Sequence, residues 1–320
     1  MTTISIVVPV KHGGHVAAFD SIRQSGYDKN IYEVLLAEGS APSQQRNLAA
    51  RAATGDILYF IDDDSRLHRD SLSICRDVMD DQGVAVAGGP SITPPEDSWL
   101  QRLFGFALSS VLGSGGVRNR YRAFGTPRET TDKELILCNL AIRRSVFLAL
   151  DGFDERLYPN EENELLDRVR SAGFRLMHVP DMKVLRSQRS TLKAFVRQMF
   201  AYGRGRAQQS LITGSFPVIS YVPLLFVLYL IVCLCFPFYK MLLLPLLMYA
   251  ALVSVFTLIG VRQTGSVSAI TLLLLYPLMH CVNGIGLMYG LTGGKPGPVR
   301  GDGIVVTRIK EFGQEFPEPD

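Results

Sequence analysis

The chain has 320 residues, 47% of them hydrophobic and 20% charged, with a net charge of +3. That composition excludes a disordered chain, a collagen-like repeat and a small disulfide scaffold, and so small a charge gives no ground for a nucleic-acid-binding role. The five cysteines form no CxxC pair, so neither a zinc site nor a disulfide framework is expected and the compartment is read as reducing.

Ile4–Val10 reads as a buried strand, with no signal peptide expected before it. A helix over Val16–Ser25, a strand over Tyr32–Ala37 and a helix over Ser43–Ala53 follow, then a strand at Ile57–Ile61, a helix at Arg69–Asp80 and a strand at Val84–Gly88. This alternation predicts an α/β domain with a mostly parallel sheet and helices on both faces. Ligands bind such sheets beyond the carboxyl ends of the strands. Those ends carry Pro9-Val10, Glu38-Gly39 and Asp62-Asp63-Asp64.

Three adjacent carboxylates repel one another unless a cation or solvent relieves them. In extended backbone Asp62 and Asp64 point the same way, and hard oxygen donors of this kind suit Mg²⁺ or Mn²⁺ held together with substrate phosphates. The alternative is that Asp64 or Ser65 caps the following helix. A second acidic run spans Asp154–Glu164. Helical spacing pairs Glu164 with Arg168 at the surface and leaves Glu162 without a local partner, a carboxylate suited to general-base work. Arg46 either approaches a nucleotide or is solvated on its helix. Arg118, Arg120 and Arg122 follow a glycine-rich stretch and read either as a mobile loop closing over phosphates or as an exposed basic loop.

Val218–Tyr239, Met241–Val261 and Val267–Leu291 carry no charged residue. Each is long enough to cross a bilayer as a helix, the alternative being a buried hairpin in a soluble domain. The chain therefore divides into a polar α/β domain (1–216), a transmembrane region of about three helices (217–292) and a polar tail (293–320). Arg186, Arg189, Lys193, Arg197, Arg204 and Arg206 precede the first span with no acid between them. The positive-inside rule puts that side in the cytoplasm, in a multi-pass protein of the cell (inner) membrane. With three crossings the tail is expected on the far side.

Several of these segments together resemble the family 2 inverting glycosyltransferases of the GT-A fold, over roughly residues 4–210. Ser5-Ile6-Val7-Val8-Pro9-Val10 looks like the family's first nucleotide-binding strand, and Tyr59-Phe60-Ile61-Asp62-Asp63-Asp64-Ser65 like its DxD strand. Asn139–Arg144 followed by Gly152-Phe153-Asp154-Glu155 looks like the acceptor-side signature, and Glu161-Glu162 stands where the family has Glu-Asp, whose second acid is the base. Within the family the chain looks closest to membrane-attached transferases of exopolysaccharide assembly of the succinoglycan type, through Leu108–Gly116, Gln198–Gly205 and the apolar C-terminal region. The chain departs from the family pattern at Glu38, at Glu162 and at Arg186, which replaces a histidine near the metal.

The resemblance implies a nucleotide diphosphate sugar donor held by Pro9, Val10, Glu38, Arg46, Asp62 and Asp63. It assigns Mg²⁺ or Mn²⁺ to Asp62 and Asp64, phosphate contacts to Arg186 and Arg204, acceptor contacts to Asn139 and Glu161, and the catalytic base to Glu162. The expected activity is inverting transfer to a lipid-linked saccharide in cell-surface polysaccharide assembly, with an assembly complex as a further partner. Transfer to polyprenyl phosphate and a catalytically silent, nucleotide-sugar-binding membrane scaffold are the alternatives. No QxxRW sequence follows Gln198, which argues against a processive synthase.

Overall fold

Buried apolar runs and helices alternate in the computed structural model, which describes residues 2–297, 299 and 301–317. The strands are β1 (Ile4–Val10), β2 (Tyr32–Glu38), β3 (Ile57–Ile61), β4 (Ser65–Leu67), β5 (Val84–Gly88), β6 (Ser91–Ile92), β7 (Arg128–Glu129), β8 (Asn139–Arg143), β9 (Arg175–His178), β10 (Val184–Arg186) and β11 (Val305–Lys310). The helices are α1 (Ala18–Gln24), α2 (Pro42–Ala52), α3 (Ser71–Met79), α4 (Trp99–Ser109), α5 (Val111–Ser114), α6 (Arg144–Ala149), α7 (Glu161–Ser171), α8 (Leu192–Thr213), α9 (Val222–Cys235), α10 (Leu243–Thr264) and α11 (Leu272–Thr292). Two units form: Met1–Pro94, Asn119–Ser187 and Gly297–Asp320 make one, Pro95–Arg118 and Gln188–Pro296 the other. The stretch 95–118, expected inside the first domain, thus groups with the apolar helices, and the tail contributes to the first unit.

The first unit is built on an eight-stranded sheet of order β11-β2-β1-β3-β8-β5-β9-β7. β1 pairs in parallel with β2 and β3, whereas β8 inserts antiparallel between β3 and β5. β1, β2, β3, β5 and β9 run one way and β7, β8 and β11 the other. The sheet is therefore mixed, with parallel portions at β2-β1-β3 and β5-β9. Period-two alternation divides β1 between two cores: Ile6 and Val8 pack with α1 and α3 residues such as Ile22 and Leu72 on one face, Val7 with Ala49, Phe60 and Leu165 on the other. A second, small sheet, β4-β10-β6, carries the end of the DxD segment.

The tail corrects the expectation that it lies across the membrane. β11 pairs antiparallel with β2, Val305 opposite Glu38 and Arg308 opposite Leu35. Lys310 is buried, and its ammonium donates to the carbonyls of Lys29, Tyr32 and Glu311 at 2.8, 2.7 and 3.1 Å. Arg308 Nε lies 2.9 Å from buried Glu33 Oε2. Two strands hydrogen-bonded in one sheet occupy the same side of any bilayer, so the number of full crossings between them is even.

In the second unit three helical stretches, Val218–Cys235, Lys240–Thr264 and Val267–Thr292, are long and apolar enough to cross a membrane. α8 packs on α11 through small residues: a Cβ at Gly203 would lie 2.1 Å from the Asn283 carbonyl oxygen, and one at Gly286 2.2 Å from that of Phe200. Asn283 Nδ2 donates to the Met199 carbonyl at 3.2 Å. Glycine thus lets the backbone of the basic helix α8 approach that of the apolar α11 closely, with one amide hydrogen bond between them. In α4 Trp99 is exposed while Phe104 stacks on Phe195 at 4.0 Å, so this segment has an apolar anchor and an aromatic residue left on the surface.

A membrane-impermeant maleimide is expected to label Glu311→Cys and Asp80→Cys from the same face of sealed vesicles, in a background lacking the native cysteines. Labelling from opposite faces would contradict the β2–β11 pairing. Lys310→Met is expected to cost about 2 kcal/mol, the scale of lost hydrogen bonds to a charged group, and to speed hydrogen exchange at β11.

Candidate active site

β1, β2 and β3 all end at one edge, and α2 starts there. α2 runs from Pro42, whose missing N–H costs nothing in a first helical turn. Its Gln45, Arg46 and Asn47 are all buried. Gln45 Nε2 donates to the carbonyls of Val10 and Ala37, tying the ends of β1 and β2 together. Asn47 accepts from the Phe153 N–H at 2.9 Å and donates to the Phe153 carbonyl at 2.9 Å and to Glu155 Oε1 at 3.0 Å. Ser43 Oγ donates to the Leu157 carbonyl at 2.8 Å. One helix therefore locates both the strand ends and the loop leading to the second acidic run.

Arg46 joins the two acidic segments. Its Nη2 lies 2.7 Å from Asp62 Oδ1 and its Nη1 3.2 Å from Glu161 Oε1, with the guanidinium almost fully buried. The shorter contact identifies Asp62 as the anion that balances Arg46. Burial pushes the Glu161 carboxyl well up, with neighbouring Glu162 adding to the shift and Arg46 opposing it. Glu161 Oε2 is buried with no hydrogen-bond partner among the described residues.

At the DxD turn, Arg186 on β10 lies against two carboxylates, Nη2 at 3.2 Å from Asp62 Oδ2 and Nε at 2.6 Å from Asp64 Oδ1. β10 pairs with β4, Arg186 opposite Ser65, which fixes that approach. Both oxygens of Asp62 thus face arginines, while the Asp64 side chain is 48% exposed. Burial, then Asp64 and Asp62, push the half-buried Asp63 carboxyl up. Ser65 begins β4 and does not cap a helix.

The second acidic run begins α7. Glu161, Glu162 and Glu164 fall in its first turn, where the helix dipole favours negative charge. Glu162 Oε1 lies 3.4 Å from Arg120 Nη1, and the Glu162 side chain keeps 11% exposure against 3% for Glu161. Glu164 pairs with Arg168 at 2.6 Å as the spacing predicts, but Glu164 is buried there, and Arg168 also caps the Leu150 and Gly152 carbonyls.

Two sequence readings need correction. Asn139, expected at the acceptor, is fully buried in β8: its Oδ1 accepts from Tyr59 Oη at 2.5 Å and its Nδ2 donates to the Met182 carbonyl at 2.6 Å. It satisfies core polar groups. Arg120 does not belong to an open basic loop; it is buried, donates to the Lys133 and Asp132 carbonyls and to Asn163 Oδ1, and meets Glu162. Glu38 accepts from the Gly13 N–H at 3.2 Å, and Pro9 and Val10 close β1 beside it. Arg204 lies on α8 of the second unit. Gln45 and Asn47 are not among the residues expected at the site, since one sequence cannot distinguish a buried polar side chain from a solvated one.

Residues 57–286 match the family described as Glycosyl transferase family group 2, and the chain belongs to that family. It is 26% identical over 248 residues to the succinoglycan biosynthesis protein ExoA of Rhizobium meliloti (strain 1021), covering 68% of this chain and 72% of that protein. It is also 26% identical over 184 residues to an N-acetylglucosaminyltransferase of the same strain, covering 55% of this chain and 42% of that longer protein. Its fold is similar to that of the mannosyltransferase PcManGT from Pyrobaculum calidifontis, solved in complex with GDP-Man and Mn²⁺, at a TM-score of 0.52, 16% identity and coverage of 90% and 86% of the two chains. The family and the GT-A fold expected from the ordered motifs are thus shown.

Between the ordinary carboxylate pKa of about 4.3 and the raised folded value of Glu161, the native state binds more protons than the unfolded chain, so stability falls as pH rises through that window. Glu161→Gln is expected to flatten that fall in thermal scans between about pH 4 and pH 8. Arg46→Met, which leaves two acids without their shared cation, is expected to cost roughly 3 kcal/mol in denaturant titrations.

Proposed function

We propose that the protein transfers a sugar, with inversion, from a nucleotide diphosphate sugar to a lipid-linked saccharide at a membrane, in the assembly of a cell-surface polysaccharide. The observation that carries this reading is the Asp62–Arg46–Glu161 bridge, which brings the DxD turn and the start of α7 together. A donor-binding wall and a base-bearing wall have to face each other for a single in-line displacement.

The ends of β1 and β2, with Pro9, Val10 and Glu38, hold the nucleoside, and Asp63 in the adjoining turn completes that side. Mg²⁺ or Mn²⁺ fits Asp64, whose exposed carboxylate is a hard oxygen donor. No group of three His, Cys, Asp or Glu side chains able to hold a metal occurs among the described residues; phosphates of a bound donor would supply further oxygen ligands, as is usual for Mg²⁺. Such an ion, when bound, neutralises charge developing on the leaving diphosphate. Asp62 orients Arg46 and Arg186, and Arg186 offers the departing phosphates a cation of its own.

Glu162 takes the proton from the acceptor hydroxyl as its oxygen bonds to the anomeric carbon from the face opposite the diphosphate. The bond from that carbon to phosphate oxygen breaks, and configuration inverts. Arg120 and Asn163 hold this part of α7 in place. Glu162 is preferred to Glu161 because it retains solvent access while Glu161 is committed to Arg46. The membrane has a direct physical role: an acceptor anchored by a polyprenyl chain and an enzyme held by apolar helices meet in two dimensions, which raises effective concentration. The basic run from Arg186 to Arg206 supports a cytoplasmic catalytic side.

Asp64→Ala and Glu162→Gln are each expected to lower kcat by at least about 10²-fold with membrane insertion unchanged, and Glu161→Gln by much less. Full activity in either of the first two would remove that residue from the mechanism. EDTA is expected to stop turnover and added Mn²⁺ to restore it; rates unchanged in chelator would eliminate the metal role.

A further inference from the structure

β11 begins opposite the last residue of β2, Val305 against Glu38. The residues just before it, Gly301-Asp302-Gly303-Ile304, therefore run beyond the carboxyl ends of the parallel strands, the edge at which α/β sheets bind ligands. They are fastened there from three elements. The Gly301 N–H donates to Gln44 Oε1 of α2 at 3.0 Å, and the Asp302 carbonyl lies 3.2 Å from His12 Nε2 in the loop after β1. Ile304 lies against the turn after β2, where a Cβ on Gly39 would come within 2.9 Å of its Cγ1. A Cβ on Gly301 would in turn meet Ala41 at 2.8 Å and Ile304 at 3.0 Å, so a side chain there has no room without displacing the strap. Glu38, tied to the same loop through the Gly13 N–H, stands beside it.

We propose that Gly301–Ile304 form a wall of the donor pocket and position the nucleoside end of the donor, so that chain returning after the apolar helices is part of the substrate site. This rests on the donor assignment made above and extends it to a segment remote in sequence. The strap contributes an aliphatic side chain, Ile304, and a backbone carbonyl, Asp302, both of which suit a planar base with N–H donors. It has no part in the displacement itself. Its effect falls on donor affinity and not on the chemical step, the split that separates a positioning element from the catalytic groups.

The test uses the full-length protein in nanodiscs and calorimetric titration with UDP, GDP, CDP and dTDP. Wild-type protein is expected to bind at least one of them. Gly301→Val and Ile304→Ala are expected to raise the Kd of that nucleotide and the donor KM about tenfold while kcat changes less than about twofold. In wild-type protein, hydrogen exchange at residues 301–304 is expected to slow when the nucleotide is added, a readout that needs no variant to fold. A wild-type protein that binds none of the four would overturn the donor assignment itself and the strap with it. Wild-type binding together with unchanged Kd and KM in folded variants, or with exchange at 301–304 unaffected by nucleotide, would overturn the strap alone.

Discussion

A guanidinium removed from water has to be met by anions and hydrogen-bond acceptors, or its burial costs several kcal/mol. Arg46 meets that condition with Asp62 from the end of β3 and Glu161 from the start of α7, residues about a hundred positions apart. The same helix places Gln45 on the ends of β1 and β2 and Asn47 on the loop at Phe153. Three consecutive helical residues point in three directions, about 100° apart, yet all three are buried because α2 is enclosed by strand ends on one side and the 153–157 loop on another. Without the Arg46 bridge the two acidic segments would repel each other across the cleft, and the geometry that a displacement needs would be lost.

The second constraint acts on the sheet edge. β2 would present unpaired N–H and C=O groups if β11 did not cover it, and an open edge invites association with other chains. The covering segment follows the apolar helices in sequence, so the sheet is completed by a part of the chain remote from its other strands. The anchor is Lys310, a charged residue satisfied by three carbonyls and lying 3.8 Å from the centre of the Tyr32 ring. Arg308 adds a pair with Glu33, which is itself buried and accepts from Ser5 and Thr54. Edge, anchor and strap together make the tail an integral piece of the sheet.

What the sequence disclosed follows from which signals are local. β1, β3 and β5 were legible because continuous apolar runs of strand length have few other places to go, and α2 because Gly55 ends its helical run. The order of the DxD strand, the Asn139 segment and the Glu161-Glu162 pair was legible as a pattern. The antiparallel entry of β8 between β3 and β5 was not, since a strand's direction depends on its partners and not on its own residues. Asn139 looked like a surface acceptor contact because its requirement is set by Tyr59 and Met182, distant in sequence. The tail mixes charges and reads as a polar tail, although Ile304-Val305-Val306-Thr307 is a β-branched run that marks a strand. Lys310 conceals its burial behind a residue type that is rarely buried.

The balance of charge in the cleft bears on how it handles its substrate. Asp62, Asp63, Asp64, Glu161 and Glu162 are five carboxyl groups, and Arg46, Arg120 and Arg186 are the three guanidiniums set against them. Raised proton affinity at Asp63 and Glu161 lessens the negative excess without supplying positive charge. An incoming diphosphate is itself anionic, so the carboxylates flanking the DxD turn oppose its approach unless a cation intervenes. In the proposed reaction a divalent ion at Asp64 would reverse that local sign, and Arg186 beside it would add positive charge on the side of the departing phosphates. On α7 the base proposed above has the opposite requirement, a carboxylate able to accept a proton. Arg120 approaches Glu162 Oε1 there at 3.4 Å, a longer contact than the 2.7 and 2.6 Å pairs that Arg46 and Arg186 make with Asp62 and Asp64, respectively.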